Sequence, residues 1–219
     1  MYTVYSFVTG PLAWIAFIIF IAGSITRFAM LYSLARKKDG VVFQYMSLKF
    51  ALRSILHWII PFGATNMRKN PAMTIVTFLF HICLLLVPIF LFAHIVLWSE
   101  NFSVSWISLP DWTADFMTLV VLGSCIFFFA RRLVLDQVKY LTTWVDFAIL
   151  IIVAAPFFTG FWAYHQWAGS DVMTIVHIVS GELMLAIIPF TKLFHMFLFP
   201  FTRGYIGSEF GAVRMAKDW

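Results

Sequence analysis

The chain reads as an all-α integral membrane protein of five transmembrane helices, with its N-terminus outside, its C-terminus in the cytoplasm and an amphipathic helix on the cytoplasmic surface. Three observations predict this. Of the 219 residues, 62% are hydrophobic and only 11% charged, where a soluble domain carries about a quarter charged residues. Five apolar stretches reach the roughly 20 residues that a helix needs to cross hydrocarbon. Lysine and arginine fall in alternate connections between those stretches. One membrane domain, 1–219, accounts for the whole length.

The stretches lie near 11–34, 74–98, 115–133, 144–165 and 174–200. They are helices, because a lipid-exposed sheet edge leaves backbone polar groups unsatisfied in hydrocarbon. The first has no charged leader or small-residue cleavage site before it, so it reads as a retained span. The connection after it holds Arg36, Lys37, Lys38, Lys49, Arg53, Arg68 and Lys69. The connection after the third holds Arg131, Arg132 and Lys139, and the tail holds Arg203, Arg214 and Lys217. The two remaining connections carry only acids, Glu100, Asp111 and Asp171. By the positive-inside rule the basic connections are cytoplasmic. Trp98, Trp106, Trp112, Trp162 and Trp167 then fall near the outer ends of spans, as interfacial aromatics do. The formal charge of +5 is accounted for by these connections and does not argue for nucleic acid. Residues 41–62 are apolar but interrupted by Lys49, Arg53 and His57. Phe43, Met46, Phe50, Ile55 and Ile59 lean toward helical spacing, the pattern of a surface helix that anchors to the membrane or docks a cytoplasmic partner. Cys83 and Cys125 lack a CxxC partner and read as packing residues.

Histidines carry the chemistry. His81 and His94 lie in the second span, and His177 and His195 in the fifth. Ionisable groups inside a membrane are costly and mark function. On a continuous helix the eighteen residues from His177 to His195 are five turns, with both rings on one face and roughly 27 Å apart. The two spans run antiparallel, so depth pairs His81 with His195 near the inner face and His94 with His177 near the outer. Imidazole nitrogens are axial ligands of haem iron, so two such pairs hold two haems b. His81 and His94, thirteen residues apart, leave a straight helix about 140° from a shared face. Pro88 between them can kink the helix and re-aim His94; otherwise the two haems contact different sides of the span. Arg27, Arg53, Lys192 and Arg203 fall near the inner face, where they can meet haem propionates or snorkel to lipid phosphates. Glu182 and His165 are candidate proton acceptors for a quinol beside the outer pair. Asp146 marks the inner end of the fourth span, and His57 is a reserve ligand.

The stretch HIVSGELMLAIIPFTKLFHMFLFPFTR resembles the last span of the gamma-subunit family of respiratory nitrate reductase, including the histidine spacing, Pro189-Phe190, Lys192 and Arg203. FHICLLLVPIFLFAH, Phe80 to His94, corresponds to that family's ligand-bearing second span. The resemblance implies five spans, an outside N-terminus, two bis-histidine haems and a place in a bacterial inner membrane. The pieces SLKFALRSILHWIIPFGATNMRKNP and WVDFAILIIVAAPFFTGFWAYHQ are most similar to cytochrome b subunits of sulfate-reducer transmembrane redox complexes. These include the complexes built around multihaem cytochromes c and the sulfite-reduction membrane complex. That branch implies a cytoplasmic iron–sulfur partner similar to heterodisulfide reductase, other membrane subunits, and menaquinol or a periplasmic multihaem cytochrome c as outer donor. The His81–His94 spacing is longer than the nitrate reductase pattern, so that enzyme's quinol-site residues do not transfer directly. A haem-free anchor or assembly subunit is the competing expectation. The chain has no nucleotide-binding glycine loop, iron–sulfur cysteine cluster or CxxCH motif, so nothing in it points to terminal substrate reduction.

Overall fold

The computed structural model describes residues 2–219. In chain order its helices are α1 (Tyr2–Phe7), a π-helical turn (Val8–Leu12), α2 (Ala13–Lys38), α3 (Gly40–Gln44), α4 (Leu48–Ile59), α5 (Thr65–Lys69), α6 (Pro71–Phe90), α7 (Phe92–Phe102), α8 (Asp111–Val134), α9 (Asp136–Lys139), α10 (Trp144–Tyr164), α11 (Ser170–Ile187) and α12 (His195–Ser208). No strand occurs among the described residues. Five stretches are long and apolar enough to cross a membrane: Tyr2–Lys38, Pro71–Phe90, Asp111–Val134, Trp144–Tyr164 and Ser170–Phe190. The all-α, five-span class is therefore what the sequence forms. The first helical stretch begins earlier than hydropathy alone suggests. Val8–Leu12 widen to π geometry around Pro11, whose missing N–H cannot continue an α-helical ladder.

The chain divides into two compact units, one of residues up to Thr9 with Val76–Met184, the other of Gly10–Ile75 with Leu185–Trp219. In the first, α8 packs on α10. The buried face of α8 is Ala114, Met117, Thr118, Val121, Ser124 and Cys125, a three-and-four spacing of mostly small side chains that lets a neighbouring helix approach closely. Cys83 and Cys125 are buried free thiols, as packing residues are. Asp146 is 4% exposed. Its Oδ2 accepts from the Thr143 N–H and hydroxyl, both at 2.9 Å, and Arg132 stands 3.9 Å from Oδ1. These bonds satisfy an orphan donor at the start of α10.

The second span is a correction to the expectation of one helix over 74–98. α6 stops at Phe90, Leu91 is extended (φ −70°, ψ 129°), and α7 restarts at Phe92. A break in hydrocarbon frees carbonyls that must find new donors. Three side-chain and loop groups supply them. His94 Nδ1 donates to the Pro88 carbonyl at 2.8 Å, Trp106 Nε1 to Ile89 at 2.9 Å, and the Leu109 N–H to Phe90 at 2.9 Å. Trp106 also stands near Trp98, and Trp162 near Trp167, with ring centroids 6.2 and 5.2 Å apart.

In the second unit α4 lies against α12. Gly204 and Gly207 on α12, and Gly211 in the π-helical turn that follows it (Glu209–Val213), face α4, and a Cβ on Gly207 would meet the Phe50 carbonyl at 2.6 Å. Helices approach this closely only over small residues. α4 buries Ser54 at 0% exposure and turns Leu48, Leu52, Leu56 and Ile59 outward. The outward line is one phase away from the Phe50–Ile55 spacing read from the sequence, because the glycines of α12 take Phe50 and Ser54. The tail folds onto the same pair. Asp218 Oδ2 accepts from the Ser54 hydroxyl and lies 3.9 Å from Arg203, with its side chain 2% exposed. Trp219 stacks on His57 with centroids 3.8 Å apart. Tyr205 donates to Asp39, and burial together with that carboxylate pushes the phenol up to about 12. Asp218→Ala leaves Ser54 without its acceptor and is expected to destabilise this unit by about 1–3 kcal/mol. Thermal unfolding in detergent checks it, and an unchanged midpoint refutes the latch.

The fifth span is a second correction. α11 ends at Ile187, Ile188–Phe190 and Lys192–Phe194 are 3₁₀ turns, and Thr191 between them is extended. His177 and His195 are not joined by five turns of one rod, so the shared-face argument fails. Pro189 removes an N–H from the ladder, and Thr191 caps the restart: its Oγ1 accepts from the Leu193 N–H at 3.3 Å and donates to the Ile187 carbonyl at 3.0 Å.

Candidate haem-ligand site

His94 and His177 face one another within the first unit. Their ring centroids are 5.9 Å apart and their planes differ by 13°. Each ring is held through its Nδ1. His94 Nδ1 donates to Pro88 across the α6–α7 break. His177 Nδ1 donates to the Pro156 carbonyl of α10 at 2.8 Å. A donor at Nδ1 sets the tautomer in which Nε2 keeps its lone pair, the arrangement of a metal-ligating histidine. Two metal–nitrogen bonds of about 2 Å each place opposed imidazole centroids roughly 6 Å apart, which the pair matches.

α10 is shaped for the His177 ring. A Cβ on Gly160 would lie 2.8 Å from both Cε1 and Nδ1 of that ring, so only glycine leaves room. Pro156, one turn earlier, contributes the carbonyl. Ser180 Oγ donates to the His177 carbonyl at 2.9 Å and lies 3.5 Å from Thr159 Oγ1. Sequence reasoning passed over Gly160 and the carbonyls of Pro88 and Pro156. The visible signal was a proline and a glycine one turn apart in an apolar helix, PFFTG, since glycine inside a helix usually marks a close approach.

The other candidates are placed as follows. His81 lies on α6 of the first unit, with Nδ1 donating to Thr77 at 2.7 Å. His195 opens α12 in the second unit, with Nδ1 donating to the Lys192 carbonyl at 2.8 Å. All four span histidines therefore direct Nδ1 to a backbone carbonyl. His57 Nδ1 donates to Arg53 at 2.8 Å and its ring lies under Trp219. The guanidiniums are held by protein groups. Arg27 Nη1 donates to the Pro189 and Thr191 carbonyls at 2.5 and 3.0 Å. Arg53 lies over Phe50 and Trp219, each 4.7 Å to the centroid, and donates to the Ala216 carbonyl at 3.3 Å. Arg203 lies 4.3 Å over Trp58 and beside Asp218. Lys192 sits in the second 3₁₀ turn.

Glu182 follows His177 by five residues on α11, about 140° around and roughly 7.5 Å along. Both of its carboxyl oxygens are buried without a hydrogen-bond partner. His165 Nε2 lies 3.2 Å from Asp115 Oδ1, and each side chain is about one third exposed. Phe161 and Trp167 flank the His165 ring at 4.4 and 6.0 Å. His165 ends α10 about 7.5 Å beyond Gly160. Among the described residues no three His, Cys, Asp or Glu side chains gather as a metal site; a bis-imidazole site needs two.

The chain is 37% identical over 214 residues to a protein of Nitratidesulfovibrio vulgaris strain Hildenborough whose name reads only "Protein", a match that covers 96% of this chain and 95% of the relative. No protein-family model matches, and no solved structure matches.

Proposed function

The chain belongs to one family with the Nitratidesulfovibrio vulgaris protein, and we propose that it is the dihaem cytochrome b subunit of a membrane-bound respiratory redox complex, passing electrons between an outer donor and a cytoplasmic iron–sulfur subunit. The observation that supports this best is the parallel, carbonyl-tethered His94–His177 pair. A haem b held there supplies a one-electron centre whose potential follows from its ligands, burial and nearby charge. His94 and His177 would ligate the outer haem, and His81 and His195, paired by depth in the sequence, the inner one. The Pro88 and Pro156 carbonyls hold the outer imidazoles in the ligating tautomer, and Gly160 keeps the space that His177 occupies. The charge alternation supports an N-terminus outside, and the resemblance implies a bacterial inner membrane. The iron–sulfur partner, the multihaem cytochrome c and the further membrane subunits follow from the resemblance. So does sulfate-linked anaerobic respiration, in keeping with a relative from a sulfate reducer.

A pyridine haemochrome assay on purified protein is expected to give two haems b per chain, with a reduced-minus-oxidised spectrum of bis-histidine cytochrome b. No haem leaves the reading of a membrane anchor, in which each histidine only closes its local carbonyl.

Menaquinol is the donor we place beside the outer pair. Its oxidation needs a proton acceptor there. The His165–Asp115 pair stands at the end of α10 with aromatic rings about it, and Glu182 offers a carboxyl with no other partner. Glu182→Gln keeps the shape and removes the acid. The expected result is at least a tenfold loss of menaquinol-driven haem reduction with haem content intact. Unchanged rates in both Glu182→Gln and His165→Ala exclude quinol and leave the multihaem cytochrome c as donor.

A further inference from the structure

The sequence offers Arg27 two roles, meeting a haem propionate or snorkelling to lipid phosphates. Its contacts in the structure add a third. Gly23 and Arg27 stand one turn apart on α2 and meet the same irregular segment, Pro189 to Phe194. At Gly23 a Cβ would lie 2.9 Å from the Pro189 Cβ, so glycine lets α2 sit directly on the turn. At Arg27, Nη1 donates to the Pro189 carbonyl at 2.5 Å and to the Thr191 carbonyl at 3.0 Å. Its guanidinium carbon lies 4.9 Å over the ring of Phe194, which is 1% exposed. Phe194 directly precedes His195, and His195 Nδ1 is anchored in turn on the Lys192 carbonyl at 2.8 Å.

A carbonyl left outside the helical ladder is costly in an apolar span; Arg27 donates to that of Pro189, and to that of Thr191 beside the Phe194 N–H at 3.3 Å. A guanidinium answers both and covers a ring with its flat face; an ammonium, a compact charge on a flexible stem, does not combine these geometries. We infer that Arg27 is a positioning residue for His195: bonded to Pro189 and Thr191 and stacked on Phe194, it fixes the broken turn that aims the His195 imidazole. The inference rests on the dihaem reading above, because aim matters only if His195 ligates iron.

The test uses the full chain in native membranes or as the purified complex, with Arg27→Gln, Arg27→Lys and Gly23→Ala. Low-spin ferric EPR and a redox titration read each haem separately. The expected result is that Arg27→Gln and Gly23→Ala shift the EPR signal of one haem and change its reduction equilibrium about tenfold, about 59 mV for one electron. The other haem keeps its signal, and Arg27→Lys lies nearer to Arg27→Gln than to the unsubstituted protein. Two unshifted haems in Arg27→Gln overturn the inference while leaving the dihaem function standing. Equal displacement or joint loss of both haems in all three variants also overturns it, since Arg27 then serves the whole fold. An unsubstituted protein without haem overturns the function itself, and the inference with it.

Discussion

His177→Ala is expected to lower the haem content from two per chain to one and to leave the remaining haem spectroscopically unchanged. The prediction is specific because His177 is held from three sides. Its Nδ1 is bonded to Pro156, its ring fills the notch at Gly160, and its plane lies parallel to that of His94. On the proposed dihaem reading, removing the imidazole deletes one of two axial nitrogens, and a b-type haem would have no covalent attachment to compensate. His94→Ala should give the same stoichiometry, and the double variant should lose no more than either single one. That non-additivity is the signature of two residues acting on one centre. Haemochrome stoichiometry together with EPR of the remaining low-spin species is the measurement. Two haems retained in His177→Ala would show that the pair is packing only.

The second large effect is expected at Gly160. Gly160→Val places two methyl groups where the His177 ring already lies within 2.8 Å of a bare Cβ. Either the ring leaves its position or α10 retreats, and overpacking of this kind costs roughly 1–3 kcal/mol. The ring is the softer element, since its one hydrogen bond, to Pro156, is easier to break than the backbone ladder along α10. The outer haem should therefore be lost or become high-spin with the fold intact. Gly160→Ala should give a weaker form of the same defect. Circular dichroism and haem spectra distinguish this from general unfolding. A normal outer haem in Gly160→Val would mean that α10 moves freely and does not shape the site.

The number of spans was legible because hydropathy and length suffice for it. Candidate ligands were legible because histidine is rare in such segments and conspicuous against them. What the residue string concealed is where the rods are interrupted. Pro88 and Pro189 were visible, but proline inside a membrane helix gives a kink or a full break according to which donors await the freed carbonyls. Those donors are Trp106 and Leu109 in one case and Arg27 in the other, distant along the chain and without a local signature. The same holds for the protein partners of Arg27, Arg53 and Arg203. Their charge and depth suit propionates or lipid phosphates, and the sequence carries no sign of the backbone carbonyls, aromatic faces and Asp218 that they also meet. The proximity of the His94 and His177 rings was anticipated from depth; the shared-face arithmetic for the fifth span failed at the Pro189 turns, and the second span breaks at Leu91, close to the Pro88 that the sequence offers as a bend.

The interruption at Leu91 also makes the loop that follows a working part of the helix break. The carbonyls of Ile89 and Phe90 receive their donors from Trp106 and Leu109, while His94 Nδ1 takes the Pro88 carbonyl. A substitution at Trp106, outside both helices that flank the break, therefore strips a carbonyl beside it of its donor.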